Sequence, residues 1–251
     1  MTQPPVKKSR KLPLINLLPN LVTLAAVCAG LTAIRMGFQG QFQQGVALIL
    51  LAGILDGLDG RLARLIRSQS PIGAELDSLA DFLNFGVAPG LLLYLWSLQG
   101  IGGLGWIAVL CFALCCLMRL ARFNVDGRSG DPAATAKDYF VGIPSPAGAV
   151  LVLQPMILSF LFADPGLFPA GGIALYTVFV GFLMISRLPT YSFKTVAVSR
   201  ENARFVLLGT VLLSASLLTY PWATLALCTL VYGVVTIFMA LRKKRPVGSK
   251  G

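Results

Sequence analysis

The stretch from Leu55 to Asp81, LDGLDGRLARLIRSQSPIGAELDSLAD, decides both the fold class and the chemistry of this chain. It holds five of the ten acidic residues among 251, although the sequence on both sides is strongly apolar. Four ionised carboxylates near the centre of a bilayer would cost on the order of 10 kcal/mol, at roughly 2.5–3.5 kcal/mol each. These four are Asp56, Asp59, Asp77 and Asp81. A bound divalent cation is the simplest compensation for them.

The flanking sequence predicts an all-α, polytopic transmembrane helical bundle. The chain is 56% hydrophobic and only 12% charged, a composition typical of integral membrane proteins. Helices are expected because they satisfy their own backbone groups in lipid. About eight apolar runs are long enough, or nearly so, to cross a bilayer of about 30 Å. They lie near 17–36, 42–62, 76–98, 104–121, 144–163, 167–187, 205–220 and 221–241, and the last two could also form one span.

The basic residues predict the orientation of the bundle. With the N-terminus inside, every one of the 21 Lys and Arg residues except Arg35 falls on the cytoplasmic side of an eight-span chain. This agrees with the positive-inside rule, so both termini and the carboxylate site are expected to face the cytoplasm across an inner membrane. The predicted domains are a basic interfacial segment (1–16), a single transmembrane domain (17–241) and a basic tail (242–251).

Composition also excludes several function classes. The net charge of +11 is spread between the spans and not gathered on one soluble face, so it indicates contact with anionic lipids and no nucleic-acid binding. There is no histidine, which rules out Ser-His-Asp and Cys-His catalysis. The five cysteines lie inside apolar runs and are interpreted as small packing residues.

The spacing of the four aspartates allows them to converge. Asp56 and Asp59 are three residues apart and share one helix face, and Asp77 and Asp81 share a face at a spacing of four. The polar connection between the two runs turns the chain back, so the two helices should be antiparallel neighbours. Four convergent carboxylates form a hard oxygen site for Mg²⁺ or Mn²⁺, with Ca²⁺ also possible, and two ions could share a bridging carboxylate.

Two other interpretations of the aspartates stay open. The acids could form structural ion pairs with Arg61, Arg64 and Arg67. They could also form a proton or cation relay in an ion-coupled transporter, although relays usually spread single acids over several helices, and the sequence shows no clear internal repeat.

The residues in this stretch match a family signature. The string Asp56-x-x-Asp59-Gly60-x-x-Ala63-Arg64, eight residues, Gly73-x-x-x-Asp77-x-x-x-Asp81 resembles that of the CDP-alcohol phosphotransferases at every position. Less specific stretches resemble the phosphatidylserine synthase branch of the family. They are LPNLVTL (18–24), AELDSLADFLNFGVAP (74–89), RLARFN (119–124) and YFVGIPSPA (139–147).

The resemblance implies a role for each matched position. Asp56, Asp59 and Asp77 would hold a pair of divalent metals, with Asp77 bridging. Asp81 would contact the second metal and act as the general base on the incoming hydroxyl. The CDP pocket would be lined by Asp59, Gly60, Ala63, Arg64 and Gly73.

The implied reaction transfers a phosphatidyl group from CDP-diacylglycerol to L-serine, releasing CMP. Choline, glycerol 3-phosphate or inositol phosphate remain alternative acceptors, and family members are typically homodimers. Since serine carries a carboxylate, Arg119, Arg122 or Lys137 could bind it, although ordinary interfacial anchoring explains these cations equally well. Asn84 lies on the acid-bearing face and could contact substrate or join helices.

Overall fold

The computed structural model describes residues 14–66, 68, 70–128, 139–186, 189–191 and 203–242. Helices dominate this part of the chain, as the sequence predicts. They are α1 (Leu18–Phe38), α2 (Phe42–Leu65), α3 (Pro71–Asp81), α4 (Ala88–Trp96), α5 (Gly103–Arg128), α6 (Ser145–Val152), α7 (Gln154–Phe162), α8 (Ala170–Ile185), α9 (Ala203–Thr219) and α10 (Pro221–Arg242). Single 3₁₀ turns occur at Leu14–Leu17 and Leu98–Ile101.

The third predicted span is one continuous run from Pro71 to Trp96. It consists of α3, the π-helical segment Phe82–Val87, and α4. The fifth predicted span is bent by 42° between α6 and α7, where Pro155 cannot donate a backbone hydrogen bond. A helix or helix pair therefore lies at each of the eight predicted spans.

Within the part of the chain that the structure describes, three helical runs are long and apolar enough to cross a membrane, and a fourth is added if α6 and α7 form one span. The described apolar stretches of α8, α9 and α10 are shorter: Ala170–Ile185, Val206–Thr219 and Pro221–Thr236. The apolar sequence of α2 is interrupted by Asp56, Asp59, Arg61 and Arg64. The helical membrane fold is confirmed, while the number of spans and the side occupied by each terminus stay predictions.

The most extensive helix–helix contact joins α1 and α2. Its α1 face consists of small side chains that allow close backbone approach, and against them α2 packs Val46, Ile49 and Ala52, all nearly inaccessible. The α1 residues of this face are Ala26, Ala29 and Ala33, whereas the buried Gly30 and Gly37 face the π-helical segment and α4. This pairing fixes the α2 face that bears Asp56 and Asp59.

The main hydrophobic core begins at the α1–α2 contact with Ala33, Val46 and Ile49 and extends through α4, α5, α6, α7 and α8 to Ala226 of α10. Gly181 of α8 lets α5 approach, since a Cβ there would lie 3.2 Å from Cys115 Sγ and 3.3 Å from Phe112 Cα. All five cysteines are free thiols, and Cys115 and Cys116 are buried in this core. A short antiparallel ladder pairs β1 (Tyr139–Val141) with β2 (Pro189–Tyr191), which the sequence did not predict.

Candidate functional site

Asp59 is the most deeply placed of the four aspartates, with 3% of its surface exposed. Its Oδ2 accepts a hydrogen bond of 2.5 Å from Thr23 Oγ1 on α1. Because Thr23 is itself buried and its hydroxyl also lies 3.1 Å from the Pro19 carbonyl, the carboxylate is held in one orientation. The α1–α2 contact therefore positions an acid that α2 alone would leave free to rotate.

Asp56, Asp59 and Asp77 converge on one point. One carboxylate oxygen from each lies within 4.8 Å of the others. Asp59 is buried, Asp56 is partly buried and Asp77 is exposed, so the cluster is open on the side of α3. At an effective dielectric constant of about 20, each pair of charges at this separation repels by on the order of 3 kcal/mol. A divalent cation would reverse that cost, and the donor set fits Mg²⁺, Mn²⁺ or Ca²⁺.

Asp81 lies one turn beyond Asp77, at the junction of α3 and the π-helical segment. Its carboxyl is within hydrogen-bonding reach of Asp56, and its buried Oδ1 has no partner among the described residues. The group of three converging carboxylates does not include it. Asp81 as metal ligand and general base therefore stays a prediction, and its free oxygen is compatible with either role.

A cavity of about 290 Å³ opens beside the three carboxylates. The sequence-predicted residues Gly60, Ala63, Arg64 and Gly73 all line it. Other lining residues come from α1, from the α2–α3 connection and from the acids themselves: Pro19, Asn20, Thr23, Asp59, Ser68, Ser70, Ala74 and Asp77. The signature residues therefore share one recess with two of the metal-ligand candidates.

Local geometry explains the glycines of the cavity. Open space surrounds Gly60, whereas a Cβ at Gly73 would lie 2.9 Å from Asn20 Oδ1 and 3.1 Å from Ser70 Oγ. Ser70 caps α3 by accepting a 3.0 Å hydrogen bond from Gly73 N, an arrangement that fixes the start of the helix. Arg64 donates from Nε to the Gly60 carbonyl at 2.9 Å, which holds its guanidinium at the cavity edge.

The structural ion pairs considered above are not formed by the described residues. None of the four aspartates makes a salt bridge with Arg61 or Arg64 within the described ranges, and Arg67 lies outside them. Asp56, Asp59 and Asp77 face one another, and Asp59 and Asp77 also line the cavity, which favours a ligand site over a structural network.

Sequence reasoning missed the contribution of α1. Asn20 and Thr23 are three residues apart on one face of an otherwise apolar span, and that spacing was a usable signal. The stretch LPNLVTL supported the family resemblance, but no site role was given to its polar residues. The structure places both at the cavity, with Thr23 on a metal-ligand candidate and Asn20 against Gly73.

The structure separates the two arginines proposed to bind the acceptor. Arg119 donates from Nη1 to Ser145 Oγ at 2.6 Å and lies close enough to Asp81 to interact electrostatically with it. Arg122 instead donates to the Ile185 carbonyl at 3.0 Å and so fastens α5 to the end of α8. Arg119 is therefore near the acids, while Arg122 has a structural partner.

Asn84 and Lys137 complete the predicted acceptor residues. Asn84 is 1% exposed, and both of its side-chain amide atoms lack a partner in the described structure. It packs so tightly on α1 that a Cβ at Gly30 would collide with its Oδ1, and its contact with substrate stays a prediction. Lys137 lies outside the described residues.

Comparison with known proteins agrees with this geometry. Residues 16–186 match the family model described as CDP-alcohol phosphatidyltransferase, and residues 204–235 match CDP-alcohol phosphatidyltransferase 2. A protein of Mycobacterium leprae named CDP-diacylglycerol–serine O-phosphatidyltransferase is 37% identical over 90% of this chain and 75% of its own length.

Two further relatives with the same name have lower sequence identity to this chain. The Helicobacter pylori (strain J99) protein is 34% identical over 91% of this chain and 94% of its own. The Methanocaldococcus jannaschii protein is 32% identical over 85% of this chain and 90% of its own length. The similarity extends well beyond the signature, into the helices that the short motif does not cover.

Proposed function

Since the chain belongs to the CDP-alcohol phosphatidyltransferase family, we propose that it transfers a phosphatidyl group from CDP-diacylglycerol to L-serine, giving phosphatidylserine and CMP. The observation that carries this proposal is the convergence of Asp56, Asp59 and Asp77 beside the cavity that holds the signature residues. The names of the relatives support L-serine as the acceptor.

The donor occupies the cavity between α1, α2 and α3 in this proposal. Gly60 leaves open space for a bulky group, and Arg64 at the cavity edge binds phosphate oxygens. The acyl chains stay among the apolar helix faces, so only the polar part of the lipid enters the recess. Positioning of this kind provides much of the rate enhancement in phosphoryl-type transfer.

Two divalent ions, Mg²⁺ or Mn²⁺, would be held by Asp56, Asp59 and Asp77, with Asp81 as a further ligand. Bound there, they would neutralise charge on the diphosphate and on the departing CMP. Among the chain's own residues, Thr23 keeps Asp59 oriented and Asp59 is shielded from water. The unpartnered oxygen of Asp81 supports a proton-accepting role at this position.

The chemical step is a displacement at phosphorus. The serine hydroxyl oxygen forms a bond to the phosphorus that bears the diacylglycerol, and the bond from that phosphorus to the CMP oxygen breaks. Asp81 takes the hydroxyl proton as the new bond forms, which increases the nucleophilicity of a weak nucleophile. Arg119, near Asp81, binds the serine carboxylate and orients the hydroxyl.

The orientation and assembly of the protein are also part of the proposal. The distribution of Lys and Arg supports a multi-pass protein of the cytoplasmic membrane whose site faces the cytoplasm. Gly57, on the exposed side of α2, has no neighbour within 4 Å of an added Cβ, whereas a Cβ at Gly53 would lie 3.5 Å from Phe85 Cε1. The α2 surface around Gly57 is therefore available to a second copy in a homodimer. Cross-linking from a cysteine at position 57 in membranes tests the dimer.

The decisive test of the activity is CMP release from CDP-diacylglycerol by the purified protein in lipid nanodiscs. The reaction is offered L-serine, choline, glycerol 3-phosphate or inositol phosphate, with Mg²⁺, Mn²⁺ or Ca²⁺, and with EDTA. We expect release that depends on serine and is abolished by EDTA. Release with another alcohol alone would reassign the acceptor, and no release with any alcohol would contradict the proposal.

A further inference from the structure

A small group of buried polar atoms has no hydrogen-bond partner in the described part of the chain. These atoms belong to Ser68, Asp81, Asn84, Arg119 and Tyr232. Leaving a buried donor or acceptor unpaired costs about 1–3 kcal/mol, so such atoms usually meet a ligand or an ordered water. Three of these residues, Asp81, Arg119 and Tyr232, come from three different helices and interact electrostatically through Arg119.

Arg119 is held with part of its guanidinium available. Its Nη1 donates to Ser145 Oγ at 2.6 Å, while its buried Nε has no partner. Ser145 is fully buried at the start of α6, so this contact fixes the arginine side chain toward the protein interior. The remaining donors suit a carboxylate, which a guanidinium binds through two parallel hydrogen bonds.

Tyr232 lies on α10, outside the range 16–186 that matches the main family model. Its hydroxyl is buried without a partner, and although Thr236 is beside it on the same helix, no well-formed hydrogen bond joins the two. A buried tyrosine hydroxyl normally has a partner. With Thr236 too poorly placed to form an ordinary hydrogen bond, the Tyr232 hydroxyl is able to donate to a bound ligand.

The position of Tyr232 is fixed by a polar link between α7 and α10. Gln154, 9% exposed, donates from Nε2 to the Ala226 carbonyl at 3.2 Å, and Thr229 donates to Gln154 Oε1. Thr229 lies three residues before Tyr232, on the same side of the helix. This link fixes the α10 face that carries Tyr232, whose phenol interacts electrostatically with Arg119.

We infer that Tyr232 is a specificity residue of the acceptor site, where its hydroxyl and Arg119 together bind the carboxylate of the amino-acid acceptor. This inference rests on the proposed function. A small amino acid would place its hydroxyl at Asp81 and its carboxylate at Arg119, two positions that are electrostatic neighbours. The phenol adds a charge-assisted hydrogen bond to the carboxylate, which an acceptor without an anionic group, such as choline, cannot receive.

The test compares Tyr232→Phe with the wild-type protein and with Tyr220→Phe, which alters an exposed tyrosine at the α9–α10 turn. For Tyr232→Phe we expect the KM for L-serine to rise roughly tenfold, with kcat within about twofold and the KM for CDP-diacylglycerol unchanged. L-Alanine, which has the carboxylate but no hydroxyl, should inhibit competitively, and its Ki should rise by the same factor. Tyr220→Phe should change none of these.

A second measurement separates a loss of serine binding from a general loss of stability in the variant. The rise in thermal midpoint on adding L-serine to the CDP-diacylglycerol complex is measured against each variant's own baseline, and Tyr232→Phe should lose most of it. An unchanged KM, Ki and serine-induced shift, or a fall in kcat alone, would overturn the role of Tyr232 while wild-type activity with serine stands. A wild-type protein inactive with serine would instead contradict the proposed function.

Discussion

The helix pair α1–α2 and the helix α9 are all largely apolar, but they differ in how they contact the rest of the protein. In the pair, Thr23 and Asp59 are buried and hydrogen-bonded to each other. In α9, every side chain that the structure describes is exposed, and Thr210 and Ser214 bond only to carbonyls of their own helix.

The difference shows that hydropathy alone does not distinguish a site-forming helix from a lipid-facing one. Polar residues in a membrane helix cost free energy unless they are paired. In α9, Thr210, Ser214 and Thr219 offset that cost by bonding to carbonyls of their own helix. Ser216 instead shares a hydrogen bond with Thr224 of α10. In α1 and α2 the two hydrogen-bonded residues, Thr23 and Asp59, lie on different helices. The site therefore forms only when these helices pack together.

Removing one metal-ligand candidate should have the largest effect on activity. Asp59→Asn preserves the side-chain volume but removes the charge, and we expect kcat to fall on the order of 10²–10³-fold. CMP release in nanodiscs measures this, with Asp164→Asn as the matched control because Asp164 lies in the α7–α8 loop. Asp59→Asn activity close to that of the control would refute the role of the cluster.

A methyl group at position 73 should have the next largest effect. In Gly73→Ala the new Cβ would lie 2.9 Å from Asn20 Oδ1 and 3.1 Å from Ser70 Oγ, so the side chains that line this part of the cavity must shift. A shift of about 1 Å can cost on the order of 10²-fold, so we expect kcat/KM for CDP-diacylglycerol to fall by up to that factor. The control is Gly209→Ala in α9, where nothing lies within 4 Å of the added Cβ, and it should leave kcat/KM unchanged. Equal losses of kcat/KM in the two variants would contradict the difference between the cavity and α9.

Loss of the hydrogen bond between α1 and α2 should have a smaller effect. Thr23→Val keeps the shape of the side chain but leaves Asp59 Oδ2 without its donor. Residues that orient a metal ligand typically contribute 10–100-fold to affinity or activity, so we expect activity to fall roughly tenfold and half-saturation to need more Mg²⁺ or Mn²⁺. Thr210→Val is the control, and a metal requirement that does not change would show that Thr23 only packs.

Substitutions on α9 should have the smallest effect. Ser214→Ala removes a hydroxyl that bonds to the Thr210 carbonyl within the same helix, and such exposed changes usually alter stability by less than about 0.5 kcal/mol. Serine-dependent CMP release should stay within about twofold of wild type. A larger loss would mean that α9 contributes to the site in a way that its exposed side chains do not indicate.

The fold was largely predictable because long apolar runs and charge placement act on whole segments. Helices lie at each of the eight predicted spans, and the all-α architecture follows from backbone satisfaction in lipid. The π-helical segment Phe82–Val87 and the bend between α6 and α7 were not predicted. Both depend on how a helix meets its neighbours, and that information is absent from a local pattern.

The site was predictable where its residues share one helix face and less so where they come from distant helices. The spacing of Asp56, Asp59 and Asp77 predicted their convergence, and the cluster is present. The α1 residues Asn20 and Thr23 were missed because a lone Asn or Thr in an apolar span is common. The two candidate arginines could not be separated by sequence, since only the packing of α6 and α8 gives Arg119 and Arg122 different partners.

The hydrogen bond from Thr23 to Asp59 has a consequence for biogenesis. During translation α1 leaves the ribosome before α2, so the hydroxyl that receives the buried acid is in the membrane first. When α2 follows, Asp59 can replace a hydrogen bond to water with one from the Thr23 hydroxyl. A foreign signal anchor in place of α1 would supply the hydrophobicity without the hydroxyl that donates to the Asp59 carboxylate.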